Sequence, residues 1–197
     1  MVKRSFDLIF STIGLLLLFP LLLLIAILIK LDSKGPVLFI QERVGKNNKD
    51  FNIFKFRTMR IQSDSKGLLT LGNNDSRITK IGYFLRRYKI DEFPQLINIL
   101  KGDMSFVGPR PELRYYVNFY NDDDMTIFQV RPGITGLASL KYRNEVELLK
   151  AAKDPEIFFI KTIIPDKLKF NKEYIRKRNF FFDLKLIGIT IIKVITK

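Results

Sequence analysis

The sequence predicts an α+β protein: an N-terminal membrane helix, a small domain of one β-hairpin and short helices, and amphipathic helices at a membrane interface. Three observations carry that reading. Residues 8–29 hold no charge. Two β-rich stretches flank the turn tetrad Gly45-Lys46-Asn47-Asn48. Near the C-terminus, a run of Lys and Arg leads into Phe180-Phe181-Phe182.

As an α-helix the 22-residue uncharged tract extends about 33 Å, enough for a bilayer core of about 30 Å. A secretory signal also starts with basic residues such as Lys3 and Arg4. Its apolar region is shorter, however, and no small-residue cleavage site follows Ile29. Pro20 sits mid-tract, where it removes a backbone hydrogen bond and crowds the carbonyl of Leu16, so a kink is expected. Lys3 and Arg4 precede the tract, and Lys30 and Lys34 follow it. Basic flanks favour the cytoplasmic side. A helix that dips in and returns therefore competes on equal terms with one that crosses.

Beyond Gly35-Pro36, residues 37–44 and 51–59 read as the two strands of a hairpin. Alternation places Phe54 and Phe56 on one face and Lys55 and Arg57 on the other. Two cations on one strand face can clamp phosphates, or they can form an ordinary surface pair. Residues 80–88 read as a short basic helix. Residues 91–100 read as a helix that Asp91 caps, with Pro94 in its first turn and Gly102 as its stop. Turns follow at Gly108-Pro109-Arg110-Pro111 and Arg131-Pro132-Gly133, where Gly133 and Gly136 shape the chain. Residues 145–153 read as helical. Lys167, Lys169, Lys172, Arg176, Lys177 and Arg178 then precede the three Phe and an Ile-rich run to Lys197. Such charge is either a solvated face or, beside so many aromatics, a helix lying in the membrane interface.

Composition narrows the chemistry. Among 197 residues there is no Cys and no His. That excludes disulfides, thiolate nucleophiles, Cys/His zinc sites, imidazole bases and the Ser-His-Asp triad. With 34 Lys and Arg against 20 Asp and Glu, the formal net charge is +14. Polyanionic partners suit it: nucleic acid, anionic lipid headgroups or phosphorylated substrates.

The adjacent acids Asp91-Glu92 are the leading candidates for chemistry, with plain helix capping as the alternative. A carboxylate at a helix start faces unsatisfied amides and the positive end of the macrodipole. Arg86, Arg87 and Lys89 come just before it, which predicts an ionised Asp91 and a place for phosphate. A carboxylate attacks phosphorus directly, giving an acyl phosphate without help from histidine. Glu92, with Asp91, offers oxygen ligands to Mg²⁺, which usually bridges substrate phosphates. Lys55 and Arg57 are candidate phosphate contacts, as is Arg87, close before the dyad. Arg110, held between Pro109 and Pro111, can present its fork to a diphosphate or to uracil.

These residues fall in a series of blocks. They are Lys3-Arg4-x-x-Asp7, Pro20, Gly35-Pro36, Gln41-Glu42-Arg43-Val44-Gly45 and Lys55-Phe56-Arg57-Thr58-Met59. Then come Asp91-Glu92-Phe93-Pro94-Gln95, Gly102-Asp103-Met104-Ser105, Val107-Gly108-Pro109-Arg110-Pro111 and Pro132-Gly133-Ile134-Thr135-Gly136. In this order they resemble the bacterial sugar transferase family of monotopic phosphoglycosyl transferases. The resemblance implies transfer of sugar-1-phosphate from a UDP-sugar to a polyprenyl phosphate, usually undecaprenyl phosphate, with release of UMP. That reaction initiates surface polysaccharide or glycoconjugate synthesis. It implies Asp91 as the nucleophile, Glu92 with Mg²⁺, and Pro109 to Pro111 beside the nucleotide. It also implies a re-entrant helix over residues 1–34 at the cytoplasmic face of the bacterial inner membrane. Residues 35–165 would form the cytoplasmic catalytic domain, and residues 166–197 a basic, Phe/Ile-rich interface segment of the same fold.

Some positions depart from the family pattern. Phe19 stands before the proline where many members carry Ser. Residues 136–143 read Gly-Leu-Ala-Ser-Leu-Lys-Tyr-Arg rather than Gly-Leu-Ala-Gln-Val-Asn-Gly-Arg, and Asn171 replaces a common Asp. All lie outside the dyad and bear on the sugar more than on the reaction. Two other readings stand beside this one. A non-catalytic basic membrane-surface protein would bind anionic lipid or nucleic acid, whereas the enzyme has no nucleic-acid partner. A transferase that moves only the sugar would release UDP. The oligomeric state stays open.

Overall fold

A computed structural model describes residues 2–61 and 76–196. Helix α1 (Val2–Asp32) runs unbroken through Pro20. One stripe of it, at steps of three and four residues, faces the rest of the chain. Asp7, Ser11, Ile25 and Ile29 are buried, and Leu15, Leu18 and Leu22 pack onto two apolar clusters. That spacing keeps them on one side of an α-helix. On the opposite side Leu16, Leu17, Phe19 and Leu31 are 64–78% exposed, an apolar face suited to lipid.

Both ends of α1 are tied to the same body. Lys3 Nζ donates to Val107 O at 2.9 Å and to Tyr174 Oη at 3.1 Å, and pairs with Asp183. Arg4 donates to the carbonyls of Ile99 at 2.6 Å and Leu100 at 3.0 Å. Asp7 Oδ1 accepts from Ser105 Oγ at 3.1 Å and from the amide of Phe106 at 3.2 Å. At the other end, Arg57 is buried and donates to Ile29 O at 3.2 Å, to Ser33 O at 2.7 Å and to Lys34 O. Terminal carbonyls lack intrahelical donors and carry the negative end of the helix dipole, so a guanidinium is a fitting cap.

Strands β1 (Leu38–Val44) and β2 (Asp50–Phe56) form the expected antiparallel hairpin, with Leu38 opposite Phe56 and Val44 opposite Asp50. Asn47 and Asn48 both take φ of 58° in the turn, a conformation that asparagine tolerates better than most residues. The second strand stops at Phe56, short of the expected Met59, because the chain there turns Arg57 toward α1. Arg57 therefore does not share a working face with Lys55.

Helix α2 (Lys80–Arg87) is capped by Thr79, whose Oγ1 accepts from Gly82 N at 3.0 Å. Helix α3 (Gln95–Lys101) starts later than expected. A single 3₁₀ turn, Ile90–Glu92, precedes it, and the Asp91 side chain caps nothing. Pro94 explains the delay: with no N–H it cannot donate back to Ile90 O, so the α-helical ladder begins only after it. Gly102 ends α3 at φ 95°, as expected of a C-terminal glycine.

Strand β3 (Ser105–Val107) pairs in parallel with β4 (Gly133–Thr135). Gly108, Gly133 and Gly136 lie backbone against backbone, and a Cβ on any of them would strike main-chain atoms of the others' neighbourhood. The turn-shaping role expected of Gly133 and Gly136 is thus a matter of close approach. Helices α4 (Arg114–Val117), α5 (Leu137–Lys141), α6 (Glu145–Ala151) and α7 (Pro155–Phe158) follow. A π-helical turn, Phe159–Ile163, leads into α8 (Ile164–Lys177), and α9 (Phe180–Ile195) completes the described chain. The main apolar core joins Val44, Tyr116, Ile127, Phe159, Ile163 and Leu168. α8 buries Lys167, Leu168, Asn171 and Tyr174, so the expected boundary at residue 166 falls inside a packed helix. α9 turns Leu186 inward while leaving Phe181 80% exposed. The final residue of its Ile-rich run, Lys197, lies outside the described residues.

Replacing Arg57 with Met removes the charged donors from three helix-end carbonyls. It is expected to cost about 2–3 kcal/mol, read as a lower thermal midpoint in detergent and faster proteolysis around residues 33–37. Lys34→Met, which leaves its carbonyl in place, is expected to match the unmodified chain.

Candidate active site

Three segments meet at Glu92: strand β2, the turn before α3, and the stretch after β3. Glu92 is only 7% exposed. Arg110 grips it with its fork, Nη1 at 3.2 Å from Oε2 and Nη2 closer still to Oε1. Lys55 Nζ stands 3.8 Å from Oε1. Burial alone would push the Glu92 carboxyl up. The fields of Arg110 and then Lys55, with the Arg110 hydrogen bonds, outweigh it and hold Glu92 well below the usual carboxylate range. Arg110 is raised in return, chiefly by Glu92. Burial takes Lys55 down to about 8 despite the attraction of Glu92.

The frame around this cluster explains its geometry. Asn98 is fully buried in α3; its Nδ2 donates to Asn52 O at 2.7 Å and its Oδ1 accepts from Phe54 N at 3.0 Å. Those two bonds dock α3 on the edge of β2 and bring Lys55 to Glu92. Pro109 O accepts from Gly133 N at 2.9 Å, and Pro111 O accepts from Arg43 Nη1 at 3.2 Å. Arg110 is thus presented from a segment held on both sides. Beyond it the charges go on alternating: Glu112 accepts from Lys167 at 3.0 Å and lies 3.7 Å from Arg43, and Lys167 reaches Glu145 at 3.1 Å. Burial opposes ionisation of Glu112, but Lys167 and Arg43 overcome it and lower its pKa.

Asp91 differs from its neighbour. Its Oδ1 is buried and has no hydrogen-bond partner. Burial first and the Glu92 charge second push its pKa up, against Lys55, Lys89 and Arg86. The sequence reading expected nearby cations to favour the ionised form; burial reverses the net direction. A buried acceptor without a donor costs about 1–3 kcal/mol, and here it is held in place by a 3₁₀ turn that starts from Lys89 in the left-handed region at φ 60°. Such an oxygen keeps its lone pairs available to an electrophile.

Of the residues singled out in the sequence, the structure therefore gathers Asp91, Glu92, Lys55 and Arg110, with Pro109 and Pro111 as supports. Arg57 is committed to α1. Arg87 is exposed at the end of α2, with its guanidinium 6.0 Å from the Tyr88 ring centre. Arg86 is the α2 cation whose field reaches Asp91 most strongly. Sequence reading passed over Asn98, although an Asn inside Leu96-Ile97-Asn98-Ile99-Leu100 is a visible signal of a buried polar tie.

A hard cation would find oxygen donors here in Asp91 Oδ1, orphaned and buried, and in Glu92 if it yields part of the Arg110 fork. Among the described residues no group of three or more acidic side chains converges. The pair fits Mg²⁺, which commonly takes one or two carboxylates and fills its other positions with substrate phosphate and water.

Known proteins bear on the site. The profile of the bacterial sugar transferase family matches residues 1–197. The UDP-glucose:undecaprenyl-phosphate glucose-1-phosphate transferase of Escherichia coli K12 is 38% identical over 197 residues, covering 98% of this chain and 40% of that protein. The UDP-N-acetylgalactosamine-undecaprenyl-phosphate N-acetylgalactosaminephosphotransferase of Aeromonas hydrophila is 38% identical, covering 99% of this chain and 44% of its own length. The chain thus spans less than half the length of these two relatives. An uncharacterized sugar transferase of Bacillus subtilis, EpsL, is 37% identical over 98% of this chain and 87% of its own.

The depressed pKa of Lys55 sets a stability test. Between about pH 8, where folded Lys55 loses its proton, and its unfolded value of about 10.4, the unfolded chain binds more protons, so stability from this group rises with pH. The unfolding free energy of the unmodified chain relative to Lys55→Met is expected to grow by about 2 kcal/mol from pH 8 to pH 10. A difference that stays flat or shrinks over that window would show Lys55 to be ordinary.

Proposed function

The chain belongs to the bacterial sugar transferase family, and on that footing we propose that it transfers a sugar-1-phosphate from a UDP-sugar to undecaprenyl phosphate, with UMP as the other product. Relatives whose printed names state this kind of transfer cover nearly all of the chain. The observation that carries the reading to this molecule is Asp91 Oδ1, a buried carboxylate oxygen without a donor, next to a Glu92 that Arg110 and Lys55 keep ionised. A membrane-surface protein that only bound anionic lipid would have no use for that arrangement.

In the first step the Asp91 carboxylate attacks the phosphorus bonded to the sugar. The bond from that phosphorus to the oxygen of UMP breaks, UMP leaves with the electron pair, and an acyl phosphate remains on Asp91. In the second step a phosphate oxygen of undecaprenyl phosphate attacks the same phosphorus. The bond to Asp91 breaks, the carboxylate is restored, and the sugar leaves on a lipid diphosphate. No proton acceptor is needed in either step, which suits a chain without histidine. The raised pKa of Asp91 suits the role too, since a more basic oxygen is the better nucleophile once ionised.

Lys55 and Arg110 bind phosphate oxygens of the donor, and Pro109 and Pro111 keep Arg110 turned toward them. Glu92 orients the Arg110 fork when the diphosphate is absent. Magnesium, held by Asp91 and Glu92, would supply neutralisation of the diphosphate charge. Arg57, tied to α1, takes no part in binding.

The anchoring of α1 supports a monotopic placement at the cytoplasmic face of the inner membrane. Lys3, Arg4 and Asp7 bind one side of the domain and Arg57 binds the other end of the helix. A helix tied to one body near both ends suits a segment that enters and leaves the bilayer on the same side. Phe84 of α2, Ile97 and Leu100 of α3, and Phe181 of α9 are also exposed, and they add apolar surface for the same leaflet.

Two measurements test this. Exposure to a UDP-sugar and Mg²⁺ without lipid acceptor is expected to add one sugar-phosphate mass at Asp91 and release UMP, and chelation of the metal to suppress both. Asp91→Asn is expected to lose about three orders of magnitude or more in turnover while remaining folded. Release of UDP instead of UMP, or an adduct on another residue, overturns the mechanism. For the topology, aqueous amine labels are expected to reach Lys3 and Lys34 from the same side of sealed vesicles; labelling from opposite sides refutes the re-entrant placement.

A further inference from the structure

We propose that Gln95 touches the substrate: its Nε2 donates a hydrogen bond to a nonbridging oxygen of the phosphoryl group while Asp91 attacks and then carries it. The proposal rests on the two-step transfer described above and adds a residue to it.

Gln95 is 1% exposed, and its Nε2 is buried with no hydrogen-bond partner. It opens α3, four residues after Asp91 and three after Glu92. Asp91 Oδ1 is likewise buried and without a partner. An unmatched donor and an unmatched acceptor thus lie four residues apart in the chain, and they are not bonded to each other. Each is a desolvated group left without its hydrogen bond, which the resting protein tolerates at a cost in stability.

The rest of α3 shows that this is not its general habit. Its other buried polar residue, Asn98, has both ends of its amide matched, to Asn52 O and Phe54 N. The remaining inward positions, Leu96 and Ile99, are apolar. For packing alone, Met or Leu at position 95 would fill the space without leaving a donor unmade. A phosphoryl group on Asp91 changes that account. Oδ1 becomes the bridging oxygen of the acyl phosphate, and the nonbridging oxygens bring negative charge that an unbonded amide four residues on can meet.

The Gln95 amide leaves Oδ1 alone in the resting protein and acts where charge develops as the phosphorus is attacked. Donors placed at developing charge in a water-poor site are worth about 100- to 1,000-fold in rate.

The test follows the single-turnover formation of the phosphosugar adduct by rapid quench and intact-protein mass, with UDP-sugar and Mg²⁺ but no lipid acceptor. The amplitude counts competent molecules, and the rate reads phosphoryl transfer in them. For Gln95→Met we expect a rate about 100-fold lower, an amplitude near that of the unmodified chain, and a half-saturating UDP-sugar concentration within about threefold, since one neutral contact adds little ground-state binding. A rate within about threefold of the unmodified chain overturns the proposal, and so does a reduced amplitude at an unchanged rate, which marks a packing role only. If Gln95→Met does not fold, Gln95→Glu keeps the shape and replaces the donor with a carboxylate; it is expected to be at least as slow, and a normal rate again overturns the proposal. An unmodified chain that turns over without any adduct removes the two-step mechanism itself, a result separate from any outcome with the variants.

Discussion

Burying the charge of Glu92 is the constraint around which the domain is organised. A carboxylate taken out of water carries a penalty of several kcal/mol unless it is both paired and hydrogen-bonded. Neither Arg110 nor Lys55 is near it in sequence by local structure alone; Arg110 is 18 residues away and Lys55 lies on β2. To supply them, β2 must dock on α3 and the segment after β3 must cross in front of both. Asn98 makes the first docking, through two bonds to main-chain atoms of β2. The close backbone approach among Gly108, Gly133 and Gly136 makes the second. Once these are in place, Asp91 is carried to the edge of a charged cluster whose donors are already engaged elsewhere.

The same economy governs the membrane helix. A tract as apolar as α1 could be expected to associate with the domain through greasy contact alone, and its inner stripe does so along most of its length. Its position is nevertheless defined by charged and polar residues at its ends. Lys3, Arg4 and Asp7 meet main-chain atoms of α3 and β3, and Arg57 closes the far end. Directional bonds at the two termini give the helix a single register against the domain, which nonspecific apolar packing does not. The turn that carries Asp91 and the exposed apolar face of α1 are therefore tied to one body.

Much of this was legible from local patterns. The uncharged tract, the hairpin around Asn47-Asn48 and the glycine stop at Gly102 follow from residues within a few positions of each other, and each is present. The dyad stands out because, in a chain without Cys or His, it combines adjacent carboxylates with a predicted helix start and flanking cations. α3 starts a turn later than the local pattern predicts, since Pro94 interrupts the ladder of hydrogen bonds that Asp91 would cap. Arg57 was placed with Lys55 by strand alternation, a rule that ceases to apply once the strand ends at Phe56.

The local elements, the basic composition and the choice of candidate acids depend on turn geometry, periodicity and side-chain type, all short-range properties that can be read along the chain. Which charges neutralise which depends on packing between distant segments. Arg57 pairs with a helix end 28 residues earlier at its furthest reach, and Lys3 with Asp183 across 180 residues. The balance of pairing against burial then sets the direction of each shift: two converging cations lower Glu92 against its burial, and burial raises Asp91 where the cations fall short. Two neighbouring carboxylates of nearly the same chemistry thus shift in opposite directions, because desolvation and pairing are set by what folds against them rather than by what adjoins them in the chain.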